Sequence, residues 1–420
     1  MPERRCAITR DEDGTVRLAG TSAEPAFTRA VLDVAGAVLT WPVLGPTGLP
    51  AAEIHDVGQA QQWLWAVYGE RTAAAVYAFA SGDPAAEPAL PEQPSALAEA
   101  AARLAFGHWA ARWWPTSYLD GIPALEPDLL GLELAALTHE CQQLFDESGE
   151  LADAELLEEH LAALDPLIRW QRSAAPPGQL DRVLRLIDDA ADNAGLDGES
   201  LRRLRSALEQ DHRPAATSFD LAELSARRQE FALAAGSLRT ATGRVVARGS
   251  GTNDWCRYPP GFVDAAENAV SWTAYALGAG RRIEVEVVAD IAAPMGGVHL
   301  AAEVHVDSSP PNRVRLARQE DVWVGGADLD IPASTTPGIE VGVLLPGFDP
   351  GPGADERAAR EAVRALARHR LGVAAAPQDS EAAQALHRSE AAQAPHGSEA
   401  AHPEPFLAEI VAAAAVEEDF

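Results

Sequence analysis

The chain has 420 residues, 47% of them hydrophobic, which is enough apolar content for two packed cores. Its 63 acidic residues face 33 basic ones for a formal net charge of -30, a balance that repels phosphate backbones and anionic lipid and so argues against nucleic acid or a membrane as partner. Every basic residue is arginine, which excludes a lysine-dependent phosphate loop, a kinase-type strand lysine and a lysine Schiff base.

The first residues, 4–19, have the pattern of a β-hairpin turning at Asp13-Gly14. A helix is expected over 25–40, then a helix over Val57–Tyr68 and a further apolar stretch over 72–79. Residues 81–94, rich in Pro, Ala and Glu, form a loop. From Ser95 the helical signal strengthens. Ser95 caps a helix that Pro115 stops. Leu130, Leu134, Leu137, Cys141 and Leu144 then mark one helical face. Leu157, Leu161, Leu164 and Ile168 mark another, and helices led by Leu180 and Leu201 follow. Short connections favour antiparallel neighbours, hence a bundle.

Beyond Gly236 the period becomes two. Strands are expected over 243–248, 269–277, 282–287, 298–307, 313–317, 321–324 and 338–345, separated by turns such as Ser308-Ser309-Pro310-Pro311-Asn312. Alternating faces argue for antiparallel pairing, as a sandwich or a small barrel-like sheet. A helix over about 354–370 closes the folded part. The segment 373–403 repeats a nine-residue unit, Ser380-Glu381-Ala382-Ala383-Gln384-Ala385 returning at 389–394, and is nearly free of large apolar residues. It is expected to be a disordered tether. The fold class is therefore α+β. A mostly helical module over 1–216 carries the N-terminal hairpin. An antiparallel β-rich, sandwich-like module spans 217–346 and a closing helix 347–372. The disordered linker 373–403 leads to a C-terminal peptide over 404–420.

Three cysteines, Cys6, Cys141 and Cys256, lack redox or metal-ligand spacing and suit a reducing compartment. The N-terminus has no apolar leader, and the segment 26–44 is broken by Arg29, Asp33 and Pro42. The expectation is a cytoplasmic protein without membrane insertion. No motif for a cofactor is present, and none is expected.

The C-terminal peptide is the strongest pointer to function. Phe406, Leu407, Ile410 and Val411 would share one helical face, with Glu409 pointing away, and could fill a groove on another protein. The alternatives are that the peptide packs back on its own module or has no role. Two aromatic clusters are further candidates for partner or ligand binding: Trp113 and Trp114 at a helix end, and Trp255, Arg257 and Tyr258 in a Pro-rich loop. Each has a plain alternative in internal packing. His299, Glu303 and His305 alternate along one strand in a way that suits zinc or iron, but further ligands are not identifiable, and a solvated sheet face explains them as well.

These features fit a non-catalytic adaptor or scaffold in a bacterial multi-protein system, one that contacts other proteins, an ATPase among them, through both modules and the tail. The alternatives are a metal-dependent hydrolase on the His299 strand and a β-sandwich that binds carbohydrate or another small ligand through Trp255, Tyr258 and Trp272.

Overall fold

The structure is a computed structural model, and it describes residues 6–18, 25–45, 48–83, 88, 90–91, 93–146, 156–173, 176–209, 221, 244–277, 280–307, 310–329, 338–348, 356–376 and 404–418. The chain is α+β and divides into two units. One comprises Met1–Arg112, Leu125–Ala226 and His369–Phe420; the other comprises Trp113–Ala124 and Arg227–Arg368. Among the described residues no helix is long and apolar enough to cross a membrane.

The first unit opens with a five-stranded antiparallel sheet, in the order β1-β2-β5-β4-β3. Its strands are β1 (Ile8–Arg10), β2 (Val16–Leu18), β3 (Arg29–Val34), β4 (Ala37–Pro42) and β5 (Ala51–Ile54). The N-terminal hairpin thus belongs to this unit, because β2 pairs with β5. The helix expected over 25–40 is instead the β3–β4 hairpin. In β3, buried Ala30, Leu32 and Val34 alternate with outward Val31 and Asp33, a period of two that the alanines masked. The hairpin turns at Ala35-Gly36, where Gly36 has φ +73 and a Cβ would lie 2.3 Å from the Asp56 carbonyl oxygen. Only glycine meets both conditions.

Helices follow: α1 (Val57–Tyr68), α2 (Glu70–Ala80), α3 (Ala96–Trp113), α4 (Pro127–Glu140), α5 (Leu164–Gln171), α6 (Leu180–Asn193) and α7 (Glu199–Glu209). Asp56 caps α1 by accepting from the Gln59 amide at 3.1 Å, and Ser95 caps α3 through the Ala98 amide at 3.2 Å. The stripe expected from Leu157 to Ile168 is interrupted by a 3-10 turn at Leu161–Ala163. Helices α5, α6 and α7 each bury one apolar stripe. By contrast, α4 is buried at every residue from Leu129 to Thr138, so it is enclosed on all sides. Trp109 of α3 donates to the Phe27 carbonyl at 2.7 Å, and Trp63 of α1 to the Ala35 carbonyl at 2.9 Å. These bonds satisfy the indole N–H groups of two buried anchors.

The second unit holds seven antiparallel strands: β6 (Arg244–Ser250), β7 (Val270–Leu277), β8 (Gly280–Val288), β9 (Leu300–Val306), β10 (Asn312–Gln319), β11 (Val322–Leu329) and β12 (Ile339–Leu344). Their order is β12-β9-β10-β11-β8-β7-β6. All seven coincide with the alternating segments of the sequence. The sheet curls as a half-barrel: Thr252, just past β6, bridges to Gly342 of β12, and its amide donates to Val341 at 2.7 Å. Ile283, Val285, Val287, Leu300, Leu316, Trp323 and Val343 form its core. The closing helix α8 (Arg357–Ala375) runs five residues beyond its expected end near Arg370 and gives its last part, from His369, to the first unit. Within the second unit α8 presents Arg360 and Arg364 to Glu267, and Arg364 and Arg368 to Asp120. Finally, α9 (Leu407–Glu418) ends the described chain in the first unit. The expected tether lies, from residue 377 to 403, outside the described residues.

Candidate functional site

Among the described residues, a dense side-chain arrangement surrounds the start of α9. It is built on α3 and the enclosed α4 of the first unit. Gly107 in α3 lies against Leu134 of α4 and the Phe406 ring: a Cβ there would sit 2.5 Å from one and 3.1 Å from the other. The mid-helix glycine, unfavourable by propensity, therefore makes room for an aromatic side chain from 299 residues further along the chain. Phe406 is fully buried, lies parallel to Phe106 with ring centroids 6.2 Å apart, and carries the Arg103 guanidinium 4.9 Å from its own centroid. Arg370, at the end of α8, sits 4.5 Å over the opposite partner, Phe106.

Polar contacts then follow the chain from Glu404 to Glu409 nearly residue by residue. Arg103 donates to the Glu404 carbonyl at 3.1 Å, and Gln179, at the start of α6, donates to the Pro405 carbonyl at 2.7 Å. The Glu133 carboxyl of α4 accepts from the Leu407 amide at 2.6 Å and from the Ala408 amide at 3.4 Å. These are first-turn donors that have no partner within α9, so a side chain from another helix caps it. Glu409 accepts from the Phe406 amide at 2.7 Å, as the third helical residue of a capping box does. The same carboxylate takes both ends of the Arg370 guanidinium at 2.6 Å, a bidentate pair with Arg370 3% and Glu409 0% exposed.

Burial raises the Glu133 carboxyl to about 8. The Arg103 guanidinium, at 3.7 Å, and the two amides pull the other way without overcoming it, while Glu409 adds to the rise. The result is a cluster of two buried carboxyl groups, the buried Arg370 and the half-buried Arg103, in which burial favours the protonated form of Glu133. A proton on Glu133 lowers the charge that an enclosed helix has to carry.

Of the tail residues singled out in the sequence, Phe406, Leu407 and Val411 are buried in their own unit and Ile410 is half-buried. Glu409 corrects the expectation: it points inward, because Arg370 supplies a counter-charge that a linear reading of the tail does not contain. Glu133 was not singled out. The signal was present, since it is the one charge within Leu129-Leu130-Gly131-Leu132-Glu133-Leu134-Ala135-Ala136-Leu137.

The aromatic candidates fall elsewhere. Trp113 and Trp114 are half-buried, and the Trp114 indole donates to the Pro123 carbonyl at 2.9 Å. Trp255, Arg257 and Tyr258 are interior to the β-rich unit. Arg364 lies 6.0 Å over the Trp255 ring, and Tyr258 hydrogen-bonds Asn253. Arg257 reaches Glu303 at 2.7 Å, and Arg313 takes the other Glu303 oxygen at 3.0 Å. Burial pushes the Glu303 carboxyl up, but these two arginines outweigh it and hold it below the ordinary range. Glu303 is thus covered and paired rather than on a solvated face. His299 is exposed, and the His305 ring lies 3.9 Å from Glu303. Among the described residues no group of three or more His, Cys, Asp and Glu is placed to hold a metal ion.

Another buried carboxylate, Asp264, organises the loop 117–122. It accepts from the Ser117 hydroxyl and the Tyr118 amide, both at 2.7 Å, and from the Ala266 amide at 2.9 Å. Burial raises its carboxyl. A hollow of about 500 Å³ between α5 and α7 is lined by Asp165, Ile168, Arg169, Arg172, Arg203 and Ser206. It contains none of the candidates above, and its Arg203 is engaged by Asp165 and Glu199. Compared with protein-family models, curated proteins and solved structures, the chain finds no match.

Proposed function

We propose that this chain is a non-catalytic adaptor that works by linear-motif docking. In this reading Glu404-Pro405-Phe406-Leu407-Ala408-Glu409 is a docking motif, and the seat made by Arg103, Phe106, Glu133, Gln179 and Arg370 is its receptor. The observation that carries the reading is the string of contacts from Glu404 to Glu409. Main-chain carbonyls, main-chain amides, an aromatic ring and a carboxylate are met by Arg103, Gln179, Glu133, Phe106 and Arg370, as in peptide recognition by a preformed groove. A helix merely packed for stability would need an apolar stripe and little else. The connection through residues 377–403 holds such a motif near its seat at roughly millimolar effective concentration.

The chemistry-bearing groups outside this seat support the same reading. Glu303 is bound by two arginines, and the half-buried Cys256 thiol is pushed up to about 11, chiefly by burial, with Asp254 and Glu356 adding to it. A net charge of -30 favours basic or neutral proteins as partners. Within this reading the chain is a cytoplasmic accessory subunit of a bacterial assembly, and an ATPase is among the partners it would serve.

The test uses the full chain with a protease site placed between residues 385 and 395. After cleavage the fragment carrying α9 should stay bound through gel filtration and then exchange with a labelled synthetic peptide spanning residues 403–420. A fragment that is lost at once, or one that never exchanges, would contradict docking.

A further inference from the structure

We propose that the free edge of β3 pairs with the same edge of a second copy, antiparallel and about a two-fold axis, joining two five-stranded sheets into one. This contact goes beyond the docking reading and uses none of the residues of the C-terminal seat.

The main chain of β3 is open on one side. In the sheet its one neighbour is β4, and the Val43 amide donates to the Thr28 carbonyl at 2.9 Å. In an antiparallel ladder such bonded residues alternate with residues whose N–H and C=O face away. Thr28, Ala30, Leu32 and Val34 therefore face β4, while Arg29, Val31 and Asp33 turn their main-chain groups to the free edge. That edge is bounded at both ends: the Arg29 amide donates to the Ala26 carbonyl, and the Ala35 amide to the Leu144 carbonyl at 2.8 Å. Between them β3 has no proline and no register shift against β4, two of the devices that protect an edge from pairing. In the second unit, by contrast, the edge strand β6 has a register shift between Val245 and Ala247.

The side chains choose the occupant. Arg29, Val31 and Asp33 share the solvent face of the sheet, and Val31 is 45% exposed. Among the described residues neither Arg29 nor Asp33 has an ion-pair partner, and the Arg29 Nε has no hydrogen-bond acceptor. Read along β3 the order is cation, valine, anion, which is complementary to itself reversed. Antiparallel pairing centred on Val31 sets the two Val31 side chains together and Arg29 of each copy against Asp33 of the other. The two Val31 residues then exchange main-chain bonds, and each Asp33 amide donates to an Arg29 carbonyl. A shift of two residues either way loses both ion pairs. Self-complementarity of this kind is what a two-fold contact requires.

A strand-edge contact is small against the roughly 1,200 Å² of an ordinary stable interface, and the net charge of -30 on each copy opposes it. Association is therefore weak and concentration-dependent.

Cross-linking of the full chain reads so weak a contact. With Cys256→Ser, the remaining native thiols, Cys6 and Cys141, are buried. Val31→Cys then places two thiols on residues about 5.5 Å apart between Cα atoms, within disulfide reach. Asp33→Cys places them about 14 Å apart along the strands. Under mild oxidation Val31→Cys should form covalent dimer at least about tenfold faster than Asp33→Cys. Equal rates, or no dimer from either, would overturn the proposal.

Charge reversal tests the register independently. In sedimentation equilibrium up to about 0.5 mM, wild type should self-associate, and Arg29→Asp and Asp33→Arg should each be monomeric. Their equimolar mixture and the double variant should associate again, which also shows that the single losses are not misfolding. A monomeric wild type, or single variants that associate as wild type does, would contradict pairing through β3.

Discussion

Replacing Phe406 by alanine should free α9 while both units stay folded. The ring is fully buried, stacks on Phe106, lies under Arg103 and fills the space left by Gly107. Truncating a buried phenylalanine to alanine costs about 3–5 kcal/mol in a core that cannot collapse. Here α9 has another option, which is to lift off its seat. The loss should therefore appear as a rise of at least about 100-fold in the open population, the equivalent of roughly 3 kcal/mol. Hydrogen–deuterium exchange read by mass spectrometry resolves this by segment. Protection over 407–418 should fall by that factor, while protection over β8 is unchanged. Tyr77→Ala, at a residue 55% exposed, serves as the control and should change neither. If protection of 407–418 in Phe406→Ala stays within about twofold of wild type, the ring does not hold the helix and the energetic argument fails.

Glu133 makes docking pH-dependent. Its carboxyl titrates near 8 when α9 is docked, against an ordinary value of 4.5. Where lifting α9 exposes the carboxyl and returns it toward 4.5, the docked state binds the extra proton, and its advantage, complete below pH 4.5, is lost as pH rises toward 8. The groups facing Glu133 are Arg103, Glu409 and the Leu407 and Ala408 amides, with Arg370 behind Glu409. Glu133→Gln should flatten the pH profile of α9 protection between pH 5 and 8, and a slope equal to wild type would refute the assignment. Asp264→Ala strands the Ser117 hydroxyl and the amides of Tyr118 and Ala266, so urea unfolding of the β-rich unit should lose about 3 kcal/mol; a loss below about 0.5 kcal/mol would show the loop is held by other contacts. Cys256, with its thiol near 11, should react with iodoacetamide at pH 8 about 100-fold more slowly than in urea, because only the thiolate attacks. Equal rates would contradict its burial.

The β-rich unit was legible because its strands keep polar and apolar residues on opposite faces. Residues 282–287 alternate in the sequence, and Ile283, Val285 and Val287 are the buried set. Helices with one stripe, such as α6, were legible for the same reason. The 25–40 segment misled because Ala30, Ala35 and Ala37 favour helix locally, while Val31, Asp33 and Thr40 carry the weaker alternating signal that pairing with β5 selects. That choice is made by a strand 10 to 20 residues away, outside any local window.

The site was half legible. Apolar residues in a short C-terminal helix mark a face to be covered, and Phe406, Leu407 and Val411 are buried. What a linear reading lacks is Arg370, which meets Glu409 across 39 residues, and Glu133, which caps α9 across 274 residues. Buried charges are tolerated only where the fold brings a partner, so their placement is a property of the tertiary structure rather than of the stripe.

Binding of a fluorescent peptide spanning residues 403–420 to the full-length chain, with Phe406→Ala and Glu409→Ala vacating its own seat, addresses the motif–receptor pairing most directly. Saturable binding by the native peptide, lost in a peptide carrying Glu409→Arg and regained when the receptor carries Arg370→Glu, is the expected result. Equal affinity for the native and charge-reversed peptides would mean that the seat reads only apolar surface, and the proposed recognition would be wrong.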